Sequence, residues 1–163
     1  MSPEQLVSAL NMLAFVSWLL LALFPGRPLI TRTVAGAAVP AFFAVAYIAI
    51  IASAWGASEG GFSSLDGVAS LFANRWLLLA GWTHYLAFDL LVGVWEVHDS
   101  RERGIPHLLV VPCLALTFMF GPAGWLLYQL VRKVGSQKGR RRHASGWSCS
   151  PTTHRSAPWS RLN

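Results

Sequence analysis

Four long apolar runs, separated by short polar segments, dominate the hydrophobic pattern of the chain. They cover residues 5–24, 34–55, 76–95 and 108–131. Each run is long enough to form a helix that crosses a bilayer, because an α-helix rises about 1.5 Å per residue. The pattern therefore predicts an all-α protein, an integral membrane four-helix bundle, with a four-span domain over residues 1–131.

The segment 56–75 is too polar to span a membrane, yet its apolar residues recur at helical spacing. They are Phe62, Leu65, Val68, Ala69, Leu71 and Phe72. Ser63 and Asp66 resemble a capping box at the start of this segment. The spacing predicts a short amphipathic interfacial helix on the membrane surface, or alternatively a lid over an opening between helices.

Composition supports the membrane prediction, and most of the basic residues lie in one part of the chain. Hydrophobic residues make up 54% of the sequence and charged residues 12%, against about 25% charged in soluble domains. No acidic residue follows Val131, whereas most of the basic residues do. They are Arg132, Lys133, Lys138, Arg140, Arg141, Arg142, Arg155 and Arg161. We therefore predict a disordered basic tail over 132–163 and no nucleic acid partner.

The distribution of Lys and Arg around the runs predicts an orientation. Four spans would place both termini on one side, together with Arg75 and the basic cluster 132–142, opposite four arginines in the two other loops. Basic residues favour the cytoplasm, so both termini are predicted there. The first run lacks a basic segment before it and a small-x-small cleavage site after it. We expect a retained helix in a bacterial inner membrane.

The third run carries polar residues where lipid would favour hydrocarbon. They are Thr83, His84, Tyr85 and Asp89. An aspartate near the bilayer centre costs about 2.5–3.5 kcal/mol, so it normally faces the protein interior and has a partner. Tyr85, Asp89 and Glu96 share one helical face, while His84 lies about 140° from Asp89 around the axis. The two groups therefore border one cavity from two sides or reach partners on different helices.

These residues allow a catalytic and a structural interpretation. A carboxyl in a low-dielectric site favours its protonated form, so Asp89 is a candidate general acid and His84 a candidate base or proton relay. Alternatively, Asp89 bonds to Asn11, to Tyr47 or to the backbone near Pro122, and His84 is an interhelical donor. Asn11 itself is either a hydrogen-bonding contact between helices or a ligand-binding residue.

The sequence predicts no metal and no cofactor. The polar loop 96–107 contains Glu96, His98, Asp99, Glu102 and His107, which match no zinc spacing and are interpreted as a solvated loop. A bis-histidine haem needs two histidines at similar depth, and only His84 is deep. Pro112 and Gly121-Pro122 interrupt the fourth run, which predicts that this span lines a cavity or a neighbouring helix.

Two blocks in the second half of the chain carry a family resemblance. The pattern WxHYLxFDLxxG is present as Trp82, His84, Tyr85, Phe88, Asp89 and Gly93. The pattern PCLxLTFMxGPxG is present as Pro112, Cys113, Thr117, Gly121 and Pro122. Over about residues 5–131 the chain resembles the abscisic-acid-deficient-four-like proteins, whose plant members are linked to neoxanthin synthesis from violaxanthin.

The resemblance implies a membrane protein that acts on an epoxy-carotenoid or a related isoprenoid. Opening an epoxide to an allenic alcohol needs an acid and a base, and the hypothesis assigns these roles to Asp89 and His84. The residues predicted to bind the substrate are Tyr85, Trp82, Phe88, Asn11, Gly121 and Pro122. The alternative is a non-catalytic protein that binds or scaffolds a carotenoid, quinone or isoprenoid lipid. Membrane lipid is the expected partner, and a homo-oligomer would be needed for transport.

Overall fold

The computed structural model describes residues 2–57 and 60–145, with side chains to residue 135 except at residue 57. All regular structure in this part of the chain is helical, as predicted. The helices are α1 (Pro3–Leu23), a π-helical segment (Leu29–Ala38) continuing into α2 (Val39–Ala54), a short 3₁₀ turn (Trp55–Ala57), α3 (Leu65–Ala73), α4 (Arg75–Glu102), α5 (His107–Phe120) and α6 (Pro122–Ser145).

Three of these helices are long and apolar enough to cross a membrane. They are α1, the combined helix Leu29–Ala54, and α4. Large apolar side chains on their outer faces are exposed, as expected for helices surrounded by lipid. Examples are Met12, Phe42, Val45, Ile48, Leu78 and Phe88. The three helices match the first three predicted spans.

Contacts at both ends of α4 fix the directions of its neighbours. Near its start, Arg75 forms an ion pair with Glu4 of α1. Near its end, the Arg101 guanidinium donates to the Pro25 carbonyl just after α1. Helices α1 and α4 therefore run parallel. The π-helical segment lies near Val94 at Gly36, and the following α2 contacts His84 at Tyr47, so the combined helix runs antiparallel to α4.

The structure differs from the predicted fourth span, 108–131, which is two helices joined by a reversal at Gly121. The carbonyl of Phe118, at the end of α5, accepts from Tyr85, near the middle of α4. Further along, Tyr128 of α6 donates to Asp99, about four turns nearer the C-terminal end of α4. Helix α6 therefore returns alongside α5, and we call α5 and α6 the helical hairpin.

Length and local sequence explain why the apolar run 108–131 forms two helices instead of one continuous helix. Helix α5 has 14 residues and is about 21 Å long, against about 30 Å of hydrocarbon. Gly121 has a φ of +45°, a conformation that favours glycine, and Pro122 then fits the first position of α6. At Gly124 an added Cβ would overlap the Thr117 backbone, so only glycine allows this close approach.

The helical hairpin changes the predicted arrangement of the chain ends. Residue 2 lies at the Arg75 end of α4, while Gly135 contacts Ile105 beyond the opposite end. The described chain thus begins and ends at opposite ends of the bundle. The premise behind two cytoplasmic termini, an even number of full spans, does not hold for this architecture.

The predicted solvated loop 96–107 is wrong for its first half, because α4 continues to Glu102. The Glu96 side chain is 0% exposed and Asp99 only 9% exposed. Their burial depends on hydrogen-bond donors from the helical hairpin. The hydrophobic pattern of α4 alone gives no sign of these donors. Only residues 103–106 separate α4 from α5.

The remaining differences are local. The predicted amphipathic helix is α3, and its N-cap is Ser64 rather than Ser63, since the Ser64 hydroxyl accepts from the Gly67 amide at 3.1 Å. Helix α6 continues through the predicted tail boundary at residue 132 to Ser145. The rest of the predicted disordered tail, 146–163, lies outside the described residues.

Candidate functional site

An apolar groove lies between α1, α4 and the end of α5. Its cavity measures about 370 Å³. The lining residues are Asn11, Phe15, Trp82, Tyr85, Leu86, Phe118 and Met119. Three residues that the sequence predicted to bind the substrate, Asn11, Trp82 and Tyr85, therefore line one cavity. The lining is mostly aromatic and aliphatic, with an amide and a phenol as polar groups, which is typical of a site for an apolar ligand.

Hydrogen bonds between helices hold the polar residues of this groove in place. The Trp82 indole donates from Nε1 to Oδ1 of Asn11 at 2.7 Å. The Tyr85 hydroxyl donates to the Phe118 carbonyl at 3.4 Å. The rings of Trp82 and Tyr85 have centroids 5.3 Å apart. Asn11 thus makes the predicted contact between helices and also borders the groove.

A second cavity extends the groove along the same seam. It measures about 340 Å³ and shares Trp82 with the first cavity. Its other lining residues are Pro3, Glu4, Val7, Arg75, Leu78 and Leu79. Together the two cavities follow α1 from Pro3 to Phe15, about 18 Å of helix. The combined groove is long, apolar along its length and charged at its outer end, where Glu4 pairs with Arg75.

Asp89 lies behind the inner end of this groove, at the tip of the helical hairpin. A Cβ added at Gly121 would be 2.9 Å from its Oδ1 atom, so the carboxyl packs directly against the reversal. Its Oδ2 atom is buried and has no hydrogen-bond partner among the described residues. Tyr85 lies one helical turn before Asp89 on the same face of α4. Tyr85 therefore connects the groove to Asp89.

A second buried carboxyl follows on the same face of α4. Glu96 accepts a hydrogen bond from the Thr117 hydroxyl at 3.0 Å through Oε1, while Oε2 has no partner in the described chain. Thr117 and Gly121 lie one turn apart, so Asp89 and Glu96 meet adjacent parts of the helical hairpin. Glu96 was not among the predicted site residues, although its shared face with Tyr85 and Asp89 was visible in the sequence.

His84 and Phe88 lie on another face of α4. The His84 side chain is exposed, and its ring contacts Tyr47, at a centroid distance of 5.6 Å, and Phe88, at 4.5 Å. The structure therefore does not bring His84 next to Asp89. Neither His84 nor Phe88 lines the groove. Pro122 is exposed at the start of α6.

The described residues contain no group of three or more His, Cys, Asp or Glu side chains arranged to hold a metal ion. Asp99, which the sequence placed in a solvated polar loop, instead accepts from Tyr128 at 2.7 Å and pairs with Arg103 and Arg132. This cluster fastens α6 to the end of α4. Its role is structural.

Comparison with models of known families identifies the family to which this chain belongs. A family model described as ABA DEFICIENT 4-like matches residues 5–128, more than half of the chain. The chain belongs to the ABA DEFICIENT 4-like family. The resemblance inferred from the two sequence blocks is confirmed. No curated protein and no solved structure matches the chain.

The two blocks that this ABA DEFICIENT 4-like protein shares with its family meet in space. Tyr85 and Asp89 belong to the first block and contact Phe118 and Gly121 in the second. Gly93, the last residue of the first block, gives room to Trp18 of α1, whose ring carbon would be 2.5 Å from an added Cβ. Both blocks therefore build the contact between α4 and the helical hairpin.

Proposed function

We propose that the protein is a membrane-embedded enzyme that isomerises a long isoprenoid, of carotenoid type, by acid/base chemistry. The supporting observation is the position of the apolar groove relative to the Asp89 carboxyl. An elongated apolar groove ends at Tyr85, and behind that residue lies a buried carboxyl oxygen of Asp89 that has no hydrogen-bond partner in the described part of the chain. The family, related to neoxanthin synthase, supports the same chemistry.

The reaction needs one proton donor and no net change in redox state. Asp89 donates a proton, by way of the Tyr85 hydroxyl, to the epoxide oxygen as its carbon–oxygen bond breaks. The neighbouring vinylic carbon–hydrogen bond then loses its proton, and its electron pair forms the new cumulated double bond. The product is an allenic alcohol with the atoms of the substrate. Since the reaction returns the proton that it consumes, the Asp89 carboxylate accepts it again through Tyr85.

This proposal changes the role assigned to His84. The imidazole lies against Tyr47 and Phe88, on a face of α4 away from the groove. We therefore assign the acid and the base function to one carboxyl and treat His84 as a packing residue between α4 and α2.

A second candidate function is binding without conversion. It is favoured by one observation: Asp89 is not itself among the residues that line the groove. On this proposal the protein holds an isoprenoid or scaffolds the enzymes that modify it, and the carboxyl only anchors the helical hairpin.

Purification from a carotenoid-producing host distinguishes the two functions. The protein would be isolated in mild detergent, and its visible spectrum and extracted ligand would be compared with the pigment of the host. A bound carotenoid of unchanged mass but altered spectrum supports isomerisation. A bound carotenoid identical to the host pigment supports binding alone. A folded protein without any isoprenoid contradicts both.

The direction of insertion follows from the positions of the basic residues. The bundle end opposite Ser2 carries six basic side chains, namely Arg27, Arg32, Arg101, Arg103, Arg132 and Lys133, whereas the other end carries Arg75. Basic residues near the ends of spans favour the cytoplasm. We propose that the end with the six basic side chains lies in the cytoplasm, and hence that the N-terminus lies on the other side of the membrane.

A further inference from the structure

A polar cavity at the basic end of the bundle is separate from the apolar groove. It measures about 530 Å³ and lies between the π-helical segment and the last turn of α4. Its lining residues are Gly26, Pro28, Thr31, Arg32, His98, Arg101 and Glu102. None of them lines the groove or contacts Asp89, so this cavity has no part in the proposed isomerisation.

The cavity is rich in donors that protein acceptors do not use. Arg32 makes no hydrogen bond or ion pair among the described residues, and the same holds for the ring of His98. Arg101 gives one guanidinium nitrogen to the Pro25 carbonyl and leaves the others free. Glu102 is the one acidic lining residue, and it forms no ion pair with either arginine in the described structure.

Unpaired guanidinium groups on two walls of a cavity suit a phosphate. Guanidinium donors match the geometry of phosphate oxygens and bind them through several parallel hydrogen bonds. Arg32 and Arg101 come from different helices, so one anion between them would join the π-helical segment to α4. Glu102 would repel a free phosphate anion. It would accept a hydrogen bond from a hydroxyl group of a ligand that carries both the phosphate and that hydroxyl.

Exposed apolar residues near the cavity favour a lipid headgroup over a free phosphate as its ligand. Leu23, Phe24 and Leu29, close by in the chain, are large apolar residues with exposed side chains. They lie at the ends of two apolar helices, where acyl chains would begin. Basic pockets at the ends of spanning helices are known sites for anionic headgroups.

We propose that this cavity binds the phosphate of an anionic phospholipid headgroup, with Arg32 and Arg101 as the phosphate ligands. The hydroxyls of a glycerol headgroup would face Glu102. The site goes beyond the isomerase function and does not depend on it. A bound lipid would stabilise the junction of α1, the π-helical segment and α4.

Native mass spectrometry of the detergent-purified protein tests the site. Dioleoyl phosphatidylglycerol and dioleoyl phosphatidylcholine would be titrated separately, and the bound fractions compared. The decisive variant is Arg32→Gln, since Arg32 makes no hydrogen bond or ion pair with the described residues whose loss would disturb folding. Arg27→Gln is the matched control, because Arg27 is a nearby exposed arginine that does not line the cavity.

The expected result is preferential retention of phosphatidylglycerol, weakened about fivefold by Arg32→Gln and unchanged by Arg27→Gln. Competition by millimolar inorganic phosphate would support the phosphate site but assign it to a soluble phosphate. Equal retention of both lipids, or equal effects of Arg32→Gln and Arg27→Gln, would overturn the proposal.

Discussion

The Thr117 hydroxyl donates a hydrogen bond of 3.0 Å to Glu96, and this contact joins α5 to α4 at a fully buried carboxyl. Four residues further on, Gly121 packs against Asp89. A helical hairpin that stops halfway along α4 thus covers both carboxyls. The breaks in the apolar run 108–131 form the helical hairpin, and the helical hairpin covers the polar residues of α4. These two features of the sequence therefore have one structural explanation.

Removing the Thr117 hydroxyl should destabilise the protein. The Thr117→Val variant keeps the side-chain shape but leaves the Glu96 carboxyl without its donor, which costs about 1–3 kcal/mol. The measurement is the midpoint of thermal unfolding in mild detergent. Thr33→Val, at an exposed threonine, is the matched control and should change little. Equal midpoints for the two variants would show that this hydrogen bond contributes nothing.

Alanine variants of two glycines with positive φ distinguish the effect of backbone strain from the effect of packing against Asp89. Gly121 has a φ of +45° and Gly104 one of +65°, but an added Cβ meets nothing within 4 Å at Gly104. Both Gly121→Ala and Gly104→Ala should lose about 1–2 kcal/mol of stability from backbone strain. Only Gly121→Ala should also displace Asp89 and reduce conversion of the substrate. Reduced conversion in both variants, at equal protein levels, would argue against a specific role for this contact.

The Asp99 cluster should hold α6 against α4. Asp99→Asn removes the charge that pairs with Arg103 and Arg132 and weakens the bond from Tyr128. We expect faster amide hydrogen exchange in residues 122–135 and a loss of about 1–3 kcal/mol. Asp66→Asn, at an exposed carboxyl in α3, should leave the exchange unchanged. Unaltered exchange in Asp99→Asn would mean that apolar packing alone retains α6.

Labelling of single cysteines tests the proposed orientation. In a Cys149→Ser background, Gly26→Cys and Ser63→Cys place thiols at opposite ends of the bundle, and Cys113 is buried. An impermeant maleimide should label residue 63 in intact cells and residue 26 only after lysis. The reverse pattern would place the N-terminus in the cytoplasm.

The sequence predicted the elements that depend on local hydrophobicity. The first three spans and the amphipathic helix were found because apolar length and helical spacing are properties of the segment itself. Asn11 makes the contact between helices that one of its two interpretations predicted, since an amide inside a span needs a partner. The family was also identified, from the residue types and spacing of two blocks in a single chain.

The helical hairpin could not be predicted from the same signals. Its apolar run is as long as a span, and Gly121-Pro122 is compatible with either a kink or a reversal. The burial of Glu96 and Asp99 was missed because their partners, Thr117 and Tyr128, are distant in sequence. The angle of about 140° between His84 and Asp89 allowed either one shared cavity or partners on different helices, and the structure shows His84 against Tyr47 of α2 and Asp89 against Gly121.

The most direct test of the central claim is substrate conversion by Asp89→Asn in the carotenoid-producing host. The variant should fold, retain the bound carotenoid and lose the spectral change of the extracted ligand, since the side-chain amide has no acidic proton to transfer. His84→Gln and Asp66→Asn should convert the ligand as wild type does. Conversion by Asp89→Asn at the wild-type level would contradict the assignment of Asp89 as the acid and leave it as an anchor of the helical hairpin.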